Sequence, residues 1–186
     1  MELQLTTLPG CALAIGAYPR FTYNPQGGRG IGWLGEDDGR GRPLEFSPAE
    51  LRIPPLSWRS TRVLGVPLPP GLTIAIEPRQ LSGHLQPGSG ELRLRFRARF
   101  HCSALGFYRP AALAIDAELS TGPVTSRRHS CRGAALDSDG RGVLVGVAQV
   151  PPSGDAWLDR FLGLPDEALA LLRCRLIPLE SQLRRG

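Results

Sequence analysis

The stretch Glu91–Ser103, ELRLRFRARFHCS, constrains this chain more than any other segment. Leu92, Leu94, Phe96, Ala98, Phe100 and Cys102 alternate without a break against Arg93, Arg95, Arg97, Arg99 and His101. Side chains on a strand point to opposite faces with a period of two, so the pattern demands a long half-buried strand. One face enters a core, and the other carries a row of arginines.

The same period recurs. Leu72–Glu77 and Gln80–Leu85 alternate around a turn at Pro78, and Ala111–Thr121 alternates with Leu113, Ile115, Ala117 and Leu119 inward. Gly142–Val150 is an apolar strand entered from the turn Asp137-Ser138-Asp139-Gly140. Upstream, Glu2–Thr7 and Ala12–Tyr18 read as strands joined by a Pro9-Gly10 turn. Tyr23–Gly41 is dominated by glycine, and Arg52–Pro70 is a proline-rich crossing. Ser47-Pro48-Ala49-Glu50 has the form of a capping box with proline at the first helical position. Two short helices are predicted near 154–173. Ser153 or Asp155 caps the first, which holds Trp157, Leu158, Phe161 and Leu162 and stops at Gly163. Pro165 opens the second, with Asp166 and Glu167 in its first turn and Leu169, Leu171 and Leu172 as its apolar set. Arg173–Pro178 reads as a last strand. The 23 glycines and 18 prolines agree with β-structure rich in turns. The expectation is a mainly β protein, an antiparallel sandwich or barrel over about 61–178 with two short C-terminal helices. Residues 1–60 add N-terminal strands or an irregular flap, and 179–186 form a frayed basic tail. A chain of 186 residues favours one domain overall.

Charge is unevenly spread. The net charge is +5, all 22 basic residues are arginine, and Glu91–Gly133 holds eight of them against Glu91, Asp116 and Glu118. Such a patch suits an acidic protein or an anionic membrane surface, and Arg93, Arg95, Arg97, Arg99, Arg109, Arg127 and Arg128 are its candidate residues. A hairpin of strands 91–101 and 111–120 would set Arg97 opposite Asp116 and Arg95 opposite Glu118, leaving Arg93 and Arg99 to solvent. Nucleic acid is disfavoured, because no aromatic residues interleave with the arginines on their face. The lack of lysine also fits a GC-rich genome, which weakens any reading of arginine as chosen for phosphate.

Other signals point away from site chemistry. Cys11, Cys102, Cys131 and Cys174 are widely spaced with no CxxC pair, as expected of small buried hydrophobes in a reducing compartment. Gly30-Ile31-Gly32-Trp33-Leu34-Gly35 matches GxGxxG, but the acidic turn Glu36-Asp37-Asp38-Gly39 follows where a phosphate-binding helix should start. His101 and Cys102 fall on opposite faces of one strand, so no metal is expected, and no cofactor either. There is no GxSxG elbow or HExxH. No catalytic residue is nominated, although sites drawn from loops leave little trace in a single sequence. The N-terminus lacks a basic region before its short apolar run, and no apolar stretch approaches the ~18 residues of a membrane span. A soluble cytoplasmic protein is expected.

Trp157–Leu169 is the densest apolar segment. Helices here would close one end of the β-core, gate an interior cavity for a lipid or pigment, or dock a partner. Phe107, Tyr108, Trp157 and Phe161 are the candidates for apolar ligand or docking contacts. Gly140–Val150 (GRGVLVGVAQV), Trp157–Leu172 (WLDRFLGLPDEALALL) and Leu72–Leu81 (LTIAIEPRQL) resemble uncharacterised β-rich proteins of cyanobacteria and plastids, over 72–177 at most. That resemblance implies a photosynthetic setting and a place at the periphery of the thylakoid membrane, and carries no catalytic residues with it. Two functions are expected on these grounds, with an enzyme of unrecognised type, its site drawn from separate loops, as a third. One is a non-enzymatic binding or assembly module using the basic face, and the other is a carrier of a lipid or pigment in the β-core.

Overall fold

The structure, a computed structural model, describes residues 1–179. Its strands are β1 (Glu2–Thr7), β2 (Cys11–Ile15), β3 (Phe21–Tyr23), β4 (Arg29–Leu34), β5 (Arg42–Phe46), β6 (Thr61–Val63), β7 (Val66–Pro67), β8 (Leu72–Gln86), β9 (Glu91–Ala104), β10 (Leu113–Ser120), β11 (Pro123–Thr125), β12 (Ser130–Arg132), β13 (Arg141–Val150) and β14 (Asp166–Pro178). One helix, α1 (Ala156–Leu162), lies between β13 and β14, and Pro48–Glu50 forms a turn of 3-10 helix. The basic tail expected over 179–186 lies, beyond Leu179, outside the described residues.

Eight strands close into an antiparallel ring in chain order: β1, β4, β5, β8, β9, β10, β13, β14 and back to β1. The ring is not a clean barrel, because β2, β3, β6 and β7 branch from it as a side arm. The branch point is β14. Its one edge pairs with β13 from Asp166 to Arg175. Its other edge is shared end to end, with β2 on residues 168–171 and β1 on residues 174–178. The Pro9-Gly10 turn therefore links two strands that lie along the same edge and not against each other.

The second predicted helix is instead the N-terminal part of β14. Leu, Ala and Glu favour a helix in isolation, but tertiary context overrides propensity. Ala168, Ala170, Leu172, Cys174 and Leu176 pack into the clusters of the ring interior, and both backbone edges are hydrogen-bonded to neighbours. The first predicted helix is present with its expected caps. Asp155 accepts a hydrogen bond from the Leu158 N–H, and Gly163 ends the helix at φ 71°. β8 is one strand where two were expected, with a bulge between Pro78 and Gln80. β5 pairs with it only from Leu81 onward, so Pro78 lies beyond that ladder. The GxGxxG stretch is β4, not a phosphate loop. A Cβ at Gly32 would lie 2.7 Å from the Phe46 ring, and one at Gly30 would collide with Leu51.

The ring has two unlike halves. In one, Leu3, Leu34, Leu44, Phe46, Leu92 and Leu176 belong to a packed core that ends beneath loops 35–41, 87–90 and 136–140. In the other, α1 closes the end. Leu158 packs with Cys102, Leu113 and Val150, and the connections 16–20, 64–71 (with β7), 105–112 and 151–165 (with α1) lie at this end. On this side the arm completes the wall through Cys11, Tyr23 and Leu56, with Leu56 bridged to Ile74.

Candidate functional site

Alternation alone places one residue in two inside the ring, and the size of those residues decides whether the interior fills. Along β10, β13 and β14 the register sets Ala117 beside Ala148, Ala148 beside Ala168, and Gly146 beside Ala170. Ala98 on β9 continues this belt opposite Ile115. A ring of about eight strands encloses space that large side chains just fill, or that holds one small ligand when they do not. Here the belt leaves an interior cavity of about 220 Å³ whose lining is almost wholly apolar. Ile74, Ile76, Phe96 and Phe100 of β8 and β9 line it together with Leu13 and Phe21 of the arm. Ile15, Cys102, Leu113 and Leu162 border it towards the helix end. An apolar void of ~150 Å³ in a protein core takes up benzene, and drug-sized pockets begin near ~300 Å³. The cavity therefore has the calibre of a slender chain or a single ring.

Of the aromatic candidates, the structure brings Tyr108, Trp157 and Phe161 together outside the cavity. Trp157 stacks on Phe161 with ring centres 5.1 Å apart and planes 7° off parallel. Tyr108 meets Trp157 edge-on at 5.3 Å and donates a hydrogen bond of 2.8 Å to Asp155. Desolvation first, and that bond to a carboxylate second, push the Tyr108 phenol up to about 12. Tyr18, which the sequence did not single out, extends the row by lying 6.0 Å from Phe161 and donating to its carbonyl at 2.6 Å. Phe107 stands free at the same end, 79% exposed. None of the four candidates lines the cavity; α1 reaches it through Leu162.

The arginines divide into two clusters and a remainder. The 91–101 and 111–120 strands pair in the register expected, with Arg97 opposite Asp116 and Arg95 opposite Glu118. Both Arg95 and Arg97 turn to Asp116, at 2.9 Å each. Their hydrogen bonds, Arg95's foremost, hold the Asp116 carboxyl down at about 2. Arg127 and Arg128 clamp the buried Asp166 at 3.0 and 2.5 Å and hold its carboxyl well below the usual range, Arg128 being the main cause. Beside it the buried Glu167 accepts from the Ser126 hydroxyl, the Gln149 amide and the backbone N–H groups of Arg127 and Arg128. Those bonds, the Ser126 one largest, hold Glu167 at about 2. This clamp fixes the loop between β11 and β12 against the ends of β13 and β14. Arg93, Arg99 and Arg109 form no direct ion pair among the described residues.

The sequence reasoning missed the alanine belt. Its signal, alternating small residues in DEALALL and GVAQ, acquires meaning only once the register brings those positions into adjacent rows. Among the described residues no cluster of three or more His, Cys, Asp or Glu could hold a metal, and no helix is long and apolar enough to cross a membrane. No family model, no curated protein and no solved structure matches this chain.

Proposed function

We propose that this protein is a carrier that binds a lipid acyl chain, or an apolar molecule of similar calibre, inside the ring. The observation that carries the reading is the 220 Å³ apolar cavity beneath α1. Folded interiors are packed close to the density of organic crystals, so a void of this size along a belt of alanines forfeits contacts that a ligand would restore. The lining presents few polar groups, which favours an acyl chain over a solute that needs hydrogen bonds. The same volume disfavours a tetrapyrrole pigment, whose macrocycle exceeds a drug-sized pocket's lower bound. The alternative, a module that uses the basic face on an acidic protein or anionic membrane, has less to draw on. Four of its seven candidate arginines are engaged by Asp116 and Asp166.

The test is native mass spectrometry of the protein purified gently from its host, followed by titration with fatty acids of increasing length. A co-purifying adduct and a sharp optimum in chain length are expected. Ala148→Leu and Ala170→Leu, which fill the belt, should abolish uptake while leaving the fold intact. Apo protein that takes up no fatty acid, or filled variants that still bind, would overturn the reading.

A further inference from the structure

We infer that the helix end of the ring is a docking surface for an anionic lipid bilayer. The inference rests on that surface alone and not on the cavity reading. Of the ten large apolar side chains exposed among the described residues, seven lie there: Tyr18, Leu64, Val66, Leu105, Phe107, Trp157 and Phe161. They come from four loops that are far apart in sequence and meet only because the strands end together. Single exposed apolar residues are ordinary, but a cluster of this kind on one rim marks an interaction site.

Two of the seven are held there against the backbone's own preference. Leu64 and Leu105 have φ of 50° and 54°, the left-handed region that a branched side chain rarely adopts. Each precedes a glycine that also has positive φ, Gly65 and Gly106, at a turn tip. Leu64-Gly65 is the two-residue loop of the β6–β7 hairpin, where Asn-Gly is the favoured pair. Leu105-Gly106 lies in the turn closed by the Ala104–Tyr108 bridge. At 79% and 72% exposed, neither leucine gains burial in the folded chain for that steric cost. An apolar medium outside the protein supplies the missing gain.

Charge selects the medium. Arg20, Arg109 and Arg160 stand on these same loops and form no ion pair among the described residues. The two loop acids are held by neutral donors and keep their charge. Asp155 caps α1 and accepts from Tyr108, and Asp159 accepts from Ser153. The rim carries three arginines against these two carboxylates, a net charge of +1, beside leucine and phenylalanine tips 72–79% exposed and a less exposed tryptophan and tyrosine. That is the order in which an anionic bilayer presents itself: headgroups for arginine, interface for amphipathic rings, acyl region for apolar tips. An acidic protein would match the arginines but offers no reason for strained leucines at turn tips.

Vesicle flotation tests this, with phosphatidylglycerol mixed into phosphatidylcholine and with phosphatidylcholine alone. The protein should float with the anionic vesicles, and float less as salt is raised. Leu64→Asn and Leu105→Asn should each weaken binding about tenfold, while thermal stability holds or rises because asparagine suits the left-handed turn. Arg93→Glu with Arg99→Glu, on the distant stripe, should leave binding unchanged. Ala148→Leu, with its cavity filled, should still float, which separates this surface from the carrier reading. No binding to anionic vesicles, or binding lost in the stripe variant and kept in the leucine variants, would overturn the inference.

Discussion

The two ends of the ring are made from the same strands, yet they differ in every respect that matters for binding. At the end formed by loops 35–41, 87–90 and 136–140, inward positions are mostly leucine, with Phe46 filling the space left by Gly30 and Gly32, and the loops carry Glu36, Asp37, Asp38, Asp137 and Asp139. At the helix end the belt positions behind the cap are alanine and glycine, and the loops carry exposed apolar tips and free arginines. Strand geometry alone specifies neither outcome. Alternation fixes which residues point inward, and side-chain volume at those positions fixes whether the interior is solid or hollow.

That contrast is most directly broken at the closed end. Phe46 is 1% exposed, and Phe46→Ala should cost about 3–5 kcal/mol of unfolding free energy, read by urea denaturation. The equivalent truncation at the open rim, Phe107→Ala, should stay within about 0.5 kcal/mol, since that ring packs on little. At the cavity, Ala148→Leu should hold stability level or add up to about 2 kcal/mol while removing ligand uptake. A large loss of stability there would mean the void has no room for the added carbons.

The Glu167 clamp sharpens the picture through pH. Its folded-state value lies at about 2, below the ordinary 4.5. The stability it contributes is therefore present above 4.5 and is lost as pH falls from there through about 2. Glu167→Gln should lower stability at neutral pH and flatten that acid limb, measured by urea unfolding across pH 2–7. The smallest effect belongs to the arginine stripe. Arg95 and Asp116 are about half exposed, so a double-mutant cycle between them should give less than about 1 kcal/mol and shrink in salt.

What could be read from the sequence followed from how far each signal is local. β9, β10, their register and the caps of α1 are legible because alternation, opposed charges and an Asp…Gly frame act within a few residues. The last part of β14, Arg173–Pro178, reads correctly as a strand, but 166–172 reads as a helix because its composition favours one, and only partners from both ends of the chain make it a strand. β4 escaped notice because its glycines, which make room for Phe46 and Leu51, erase the apolar signal. The aromatic row was partly visible in Trp157 and Phe161, but Tyr18 joins it from a loop 143 residues away, as its bond to the Phe161 carbonyl shows. The cavity was least legible, since an absence of atoms is a property of several strands at once.

β14 is also expected to set the order of assembly. It is the seam of the ring, with β13 on one edge and the two earliest strands of the chain on the other. Closing it joins Thr7 to Cys174 and Leu3 to Pro178, across nearly the whole described chain. Until that strand arrives, β1, β2 and β13 present unpaired backbone edges, which are templates for association with other chains. Contacts of such long sequence separation come slowly. Refolding is accordingly expected to be limited by this last closure, with yield falling as protein concentration rises.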